Sequence, residues 1–129
     1  MAAGATSRDV RESDNDKAFI KCTWILTTAD PTGALIAIPD FNDKNWTIGN
    51  AAGDAFGGAT CSLQGSNVLA DTLVTLNKAA GGTAATAAVA AVISTIENTL
   101  FVAPVLTAVG AGATITVTLL ARRANVLRN

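Results

Sequence analysis

The chain of 129 residues contains no histidine and no tyrosine. Without histidine, serine–histidine and cysteine–histidine pairs cannot form, and the commonest general base and metal ligand is missing. Two cysteines, Cys22 and Cys61, are too few to hold a metal by themselves. Each lies in a strand-like run with apolar neighbours, where a buried free thiol is favoured over a disulfide between strands. Large apolar anchors are scarce: Phe19, Trp24, Phe41, Trp46, Phe56 and Phe101 are the only aromatic residues. Formal net charge is −1, so no global field favours nucleic acid or an anionic membrane. No apolar run reaches membrane-spanning length. The start, Met1 to Ser7, lacks a basic region followed by an apolar core, so no secretory leader is expected and synthesis is assigned to the cytoplasm.

What the chain does have is alternation. Ala113-Thr114-Ile115-Thr116-Val117-Thr118-Leu119 places apolar residues and threonines at successive positions. A strand sends successive side chains to opposite faces, so Ile115, Val117 and Leu119 share one face and the threonines the other. Ala59, Cys61 and Leu63 repeat the pattern. These are half-buried strands of an antiparallel sheet. Half the residues are apolar, but much of that fraction is alanine, which buries little area. Such a core suggests a thin sandwich that gains stability through association, as a dimer or trimer.

The expected organisation is a flexible, charged N-terminal arm over residues 1–16, a β-sandwich domain over 17–121 and a basic tail over 122–129. The arm interleaves both signs of charge from Arg8 to Lys17, and the tail carries Arg122, Arg123 and Arg128. Three arginines neutralise too few phosphates for firm nucleic-acid binding, so a basic edge meeting an acidic protein surface is the favoured use. Within the domain, strands are expected at Phe19–Thr28, Ala34–Ile38, Trp46–Gly49, Ala59–Gln64, Leu73–Leu76, Leu100–Thr107 and in the final alternating run. Turns separate them at Asp30-Pro31-Thr32-Gly33, Asn50 to Gly58, Gly65-Ser66-Asn67 and Asn77 to Gly82. Asp40 to Asn45 reads as a polar loop.

Three local features sharpen that scheme. Pro104 cannot donate a ladder hydrogen bond, which places it at an edge or a bulge. Val109 to Gly112 is a tight link, suggesting that the last two strands form a hairpin. Val89, Val92, Ile93, Ile96 and Leu100 fall on one helical face, yet the glycine flank and missing cap favour a strand around Ala91 to Ile96.

Little remains for chemistry. Asp40, Asn42 and Asp43 crowd one loop, but their spacing does not match a calcium loop. Gly57-Gly58 and Gly81-Gly82 lack the lysine and helix start of a phosphate cradle and read as turns. Trp24 is assigned to the core. Trp46 is assigned to the sandwich rim, where exposure would let it stack on a sugar. No catalytic residue, cofactor or metal is expected, and the chain is not read as an enzyme.

Gly57 to Asn67, then Leu73, Phe101-Val102-Ala103-Pro104 and Thr114 to Leu120, together resemble a family of small tailed-bacteriophage virion proteins. The likeness covers about residues 45 to 121. Asn67-Val68-Leu69 stands where that pattern continues Asn-Asp-Gly, and Ala103 where it carries arginine, so any contact made by that arginine is missing. The resemblance implies a capsid cement or decoration protein with an antiparallel, jelly-roll-like β-sandwich. It would sit on the outer capsid surface, with the major capsid protein and sister copies as partners, and with neither nucleic acid nor membrane. A tail or fibre component is the alternative within the virion, and a carbohydrate-binding adhesion module the alternative of another class. Expected contact residues are Arg8, Arg11, Trp46, Phe56, Arg122 and Arg123.

Overall fold

The computed structural model describes residues 5–12, 18–38, 41, 43–68, 73–97, 99–108 and 111–122. They form ten strands: β1 (Ala5–Glu12), β2 (Ala18–Thr27), β3 (Ile36–Ala37), β4 (Asp43–Ile48), β5 (Thr60–Ser66), β6 (Val74–Thr75), β7 (Thr86–Ala87), β8 (Ala91–Thr95), β9 (Phe101–Thr107) and β10 (Thr114–Arg122). One sheet has the order β1-β2-β10-β4-β8; the other runs β3-β9-β5-β6, with β7 also paired to β5. Every pairing between these strands is antiparallel. The two sheets pack against each other as an all-β sandwich around one shared core.

The alternating run explains the first sheet. It becomes β10, the middle strand, with Ile115, Val117, Leu119 and Ala121 buried and the threonines turned outward. Its neighbours obey the same period of two: Ile20, Cys22, Trp24 and Leu26 on β2, and Lys44, Trp46 and Ile48 on β4, all face inward. From the second sheet, Cys61 and Leu63 of β5 and Val102 and Leu106 of β9 complete the interior. Each fully buried Leu, Ile or Val contributes about 1.5–3 kcal/mol. Of the lean set of aromatic anchors, Trp24, Phe41 and Trp46 are buried and Phe56 and Phe101 half-buried, so aliphatic residues make up most of the core.

Four expectations change. Residues 5–12, assigned to a flexible arm, run as β1, paired from Ala5↔Ile25 to Glu12↔Ala18. An edge strand takes its main-chain hydrogen bonds from its neighbour, so polar composition does not prevent pairing. Residues 1–4 and 13–17 lie outside the described residues, as does the tail beyond Arg122. Asp43-Lys44-Asn45, read as a loop, opens β4 against β10 and β8. The expected hairpin between the last two strands is absent, because β9 and β10 belong to different sheets and the link between them changes layer. Trp46, expected at the rim, is fully buried.

Pro104 meets its expectation through a bulge in an unexpected place. β9 is an interior strand, flanked by β3 and β5. On the β3 side, Ile36 pairs with Val102 and Thr32 bridges Val105, so residues 33, 34 and 35 oppose only 103 and 104. The Leu106 N–H donates toward this side, to the Pro31 carbonyl, at 2.8 Å. Alternate residues of a strand point the same way. The donor that Pro104 lacks thus falls where the ladder is already interrupted.

The ambiguous segment is a strand. On β8, Ile93 and Thr95 face inward while Val92 and Ser94, with Ile96 just beyond the strand, are exposed, which splits the helical stripe between two faces. The short β7 was not among the expected strands.

Candidate interaction surfaces

Of the residues expected to touch a partner, Arg122 ends β10 exposed, opposite Asp43 of β4 and Phe19 of β2. Arg8 and Arg11 lie on β1 at the register positions of Cys22 and Phe19. Arg123 lies outside the described residues. Arg11 of β1 and Arg122 of β10 both pair with Phe19 of β2, so the register sets them level on either side of that strand, and Arg8 lies three residues away along β1.

The two aromatic candidates serve the interior. The Trp46 Nε1–H donates to Thr95 Oγ1 at 3.0 Å, and its ring stacks on Trp24. It has no exposed surface, so it offers no platform for a sugar or a protein partner. Phe56 is half-buried and packs on the core. Its ring occupies the space beside Gly49, where a Cβ would stand 2.6 Å from the ring. Gly49 has φ of +72°, so both backbone angle and space demand glycine.

The loop from Gly49 to Gly58 is fastened by Asp54. Its carboxylate accepts from the Thr116 N–H at 2.9 Å, the Thr116 hydroxyl at 3.1 Å and the Ala51 N–H at 3.3 Å. Past Ile48, β4 no longer accompanies β10; the Gly49 N–H bonds the Thr116 carbonyl, and Ala55 bridges Thr114. The carboxylate therefore supplies the acceptor that the missing strand would have given. Outside it, Thr47, Thr116, Thr118, Asn50 and Ala51 line a shallow, open depression of about 240 Å³. Its floor is hydroxyl groups at strand spacing, a surface for weak polar contacts.

A second polar cluster ties the two sheets together at one side. Lys44 is fully buried, and its ammonium donates to the Glu97 carbonyl. Burial pulls its pKa down from 10.5 to about 8, while Glu97 and then Asp43 pull it back up. The Glu97 carboxylate accepts from Asn77 N–H at 2.6 Å and from Asn77 Nδ2 at 3.3 Å. The result joins β4, the exit from β8 and the segment after β6. All its groups are engaged in structure.

Cys22 and Cys61 are both buried and unbridged. Burial pushes the Cys61 thiol up to about 12, leaving the nucleophilic thiolate unpopulated near neutrality. Among the described residues, no three histidine, cysteine or acidic side chains group as metal ligands. No helix among them is long and apolar enough to cross a membrane. Gly57, Gly58, Gly81 and Gly82 all take positive φ, as turns require.

The apolar surface is uneven. Val74, Val89, Val92 and Ile96 remain exposed around β6 and β8, the outer strands on one side of the two sheets. The Ala79 N–H reaches the Ser94 carbonyl at 2.8 Å there. Sequence reasoning missed this side because it judged the segment only as helix or strand. The signal was present: residues 79 to 96 contain no charged side chain. No family model, curated protein or solved structure matches the chain.

Proposed function

We propose that this chain is a structural virion protein, a capsid cement or decoration protein that binds across joints between capsid subunits. The observation that carries the reading is the division of labour in the molecule. Its polar and aromatic groups with chemical potential, Trp24, Trp46, Lys44, Thr95 and Cys61, are withdrawn into the sandwich. Its outward features are strand edges, threonine faces and exposed valines. Such a surface suits protein–protein contact. The resemblance of the segments between Gly57 and Leu120 to small phage virion proteins suggests the biological setting, with the outer capsid surface as the location and the major capsid protein as the partner.

A protein of this kind stabilises a shell by mass action, since contacts made only with the assembled lattice lower its free energy. Energy is then spread over many modest contacts. Cosedimentation with capsids stripped of accessory proteins tests the reading. Saturable, stoichiometric binding that raises the capsid's melting temperature is expected. Absence of binding overturns the cement role, and binding to isolated tails in its place moves the protein to the tail.

A further inference from the structure

We propose that this chain carries a self-cleavage site at the Asp30–Pro31 bond, where the Asp30 carboxylate attacks its own main-chain carbonyl in a single turnover. The inference does not depend on the virion role. It starts from one anomaly. Among the described residues, Asp30 Oδ1 is the buried side-chain oxygen that has no hydrogen-bond partner. Native folds pair such atoms almost without exception, and one left over calls for a reason. Here the reason lies in the next residue, because Asp30-Pro31 is the only aspartate–proline pair in the chain.

An aspartate reaches its own carbonyl carbon by closing a cyclic anhydride, so proximity is built into the residue. A following N–H could otherwise close on the side chain first, but Pro31 has none. The unpartnered Oδ1 is a nucleophile that no hydrogen bond holds back. The carbonyl under attack already accepts from the Thr27 N–H at 3.2 Å, a donor placed to take the charge that develops on that oxygen. The Asp30 N–H returns the contact, to the Thr27 carbonyl at 3.0 Å and to Thr27 Oγ1 at 3.1 Å. Attack forms the Oδ1–C bond and moves the carbonyl electron pair onto the oxygen facing Thr27. Its return breaks the C–N bond. The Pro31 nitrogen leaves with a proton from water, and the hydroxide so formed opens the anhydride. One water is consumed; Asp30 ends with an α- and a β-carboxyl group and Pro31 with a free amine.

The scissile bond is clamped from both sides. Before it, the Thr28 N–H donates to the Ala113 carbonyl at 3.2 Å, and Thr28 Oγ1 accepts from the Ala113 N–H at 2.9 Å. After it, the Pro31 carbonyl accepts from the Leu106 N–H at 2.8 Å, and the Gly33 N–H donates to the Pro104 carbonyl at 2.9 Å. Ala113 leads into β10 of the first sheet, whereas Pro104 and Leu106 belong to β9 of the second, so the bond marks a crossing between layers. Such clamps hold reacting atoms in one geometry. They also keep the product together. β2 stays paired to β10 from Phe19↔Arg122 to Thr27↔Thr114 and carries β1 with it. The outcome is a nicked sandwich, with the covalent tie between β2 and the second sheet removed.

The test is incubation of the purified chain in mildly acidic buffer, folded and in urea, followed by intact-mass spectrometry. The folded chain is expected to yield residues 1–30 and 31–129, with masses summing to the whole chain plus one water. This should run at least about tenfold faster than in the unfolded chain, where nothing holds the geometry. The two pieces should co-elute in gel filtration and separate only in urea. Asp30→Asn keeps the side chain's shape and breaks no hydrogen bond of Oδ1, so it should fold and stay whole. A chain that is never cut overturns the proposal. So does a folded rate no greater than the unfolded one, which reduces the cut to the ordinary lability of an aspartyl–prolyl bond; this comparison needs no variant to fold. Asp30→Asn cleaved at the wild-type rate assigns the cut to another agent and refutes the site as well.

Discussion

Trp24 and Trp46 stack across β10, with ring centroids 5.8 Å apart and planes inclined by 23°. They come from β2 and β4, which never touch as neighbours, because β10 lies between them. Each indole also reaches out of the stack. Trp24 donates to the Ala34 carbonyl at 2.9 Å, and Trp46 donates to the Thr95 hydroxyl at 3.0 Å. One pair thus fixes the spacing of three strands, the approach to β3 and the seat of β8.

Trp46→Phe tests that arrangement. It keeps a ring for the stack but removes the donor and strands the buried Thr95 hydroxyl. A buried polar group left without its partner costs about 1–3 kcal/mol, and the smaller ring adds a cavity cost. Urea unfolding should show a loss of at least that size. Thr95→Val in the same background should recover part of it, because the orphaned hydroxyl is then gone. Sugars added to the wild type should leave its tryptophan fluorescence unchanged.

Gly33 lies close against both Pro104 of β9 and Trp24 of β2. A Cβ there would stand 2.8 Å from both the Pro104 carbonyl and Trp24 Cδ1, and 2.9 Å from Pro104 Cδ. All three obstacles belong to a buried proline and a buried indole, which cannot swing aside like the end of a flexible side chain. Gly33→Ala should therefore destabilise despite alanine's smaller unfolded-state entropy. Overpacking of this kind costs about 1–3 kcal/mol, readable as a lower urea midpoint with an unchanged slope.

Much of this fold was legible because its strongest cues are local. The Thr114–Leu119 alternation specifies a strand and its buried face without reference to anything else, and Ala59, Cys61 and Leu63 behave alike. The strand at Ala91–Thr95 could be chosen over a helix from its flanks. Partnership is different. Whether β10 pairs with β9 depends on which layer has space, and nothing in Val109 to Gly112 encodes that. Trp46 looked peripheral because Asp43, Lys44 and Asn45 precede it. A polar stretch can still be strand when Lys44 finds a carbonyl to bond and Thr95 accepts from the indole. The outward surface was the least legible, since which strands lie side by side is not written in the chain and the exposed valines resemble core residues in sequence.

Asp54 should govern the 49–58 loop without affecting the core. Asp54→Ala removes three hydrogen bonds to a charged acceptor, leaving the Thr116 N–H short of a partner. A hydrogen bond to a charged group contributes about 1.5–3 kcal/mol net of exchange with water when it is buried, and less where water can replace the lost partner. A total loss of about 2 kcal/mol is expected, since the site is only partly buried. Amide exchange should accelerate at Thr116 and Ala51 while Val117 and Leu119 remain protected.

Lys44 and Cys61 give stability opposite dependences on pH. The Lys44 pKa falls from 10.5 in the unfolded chain to about 8 in the fold. Between those values the unfolded state binds the extra proton, so stability rises with pH. Below about 8 both states are protonated, and the full penalty of burying the charge is present. Cys61 moves from 9.0 up to about 12. Above 9 the unfolded thiol loses its proton while the folded one keeps it, so stability falls with pH. Lys44 therefore acts unopposed between pH 8 and 9, and the two effects offset each other above it. The urea midpoint should climb from pH 8 to 9 and then flatten or turn down. Lys44→Met should abolish the climb and keep the decline, whereas Cys61→Ala should keep the climb and extend it toward pH 10.5. A Lys44→Met profile that still climbs between pH 8 and 9 would mean that another group carries the dependence.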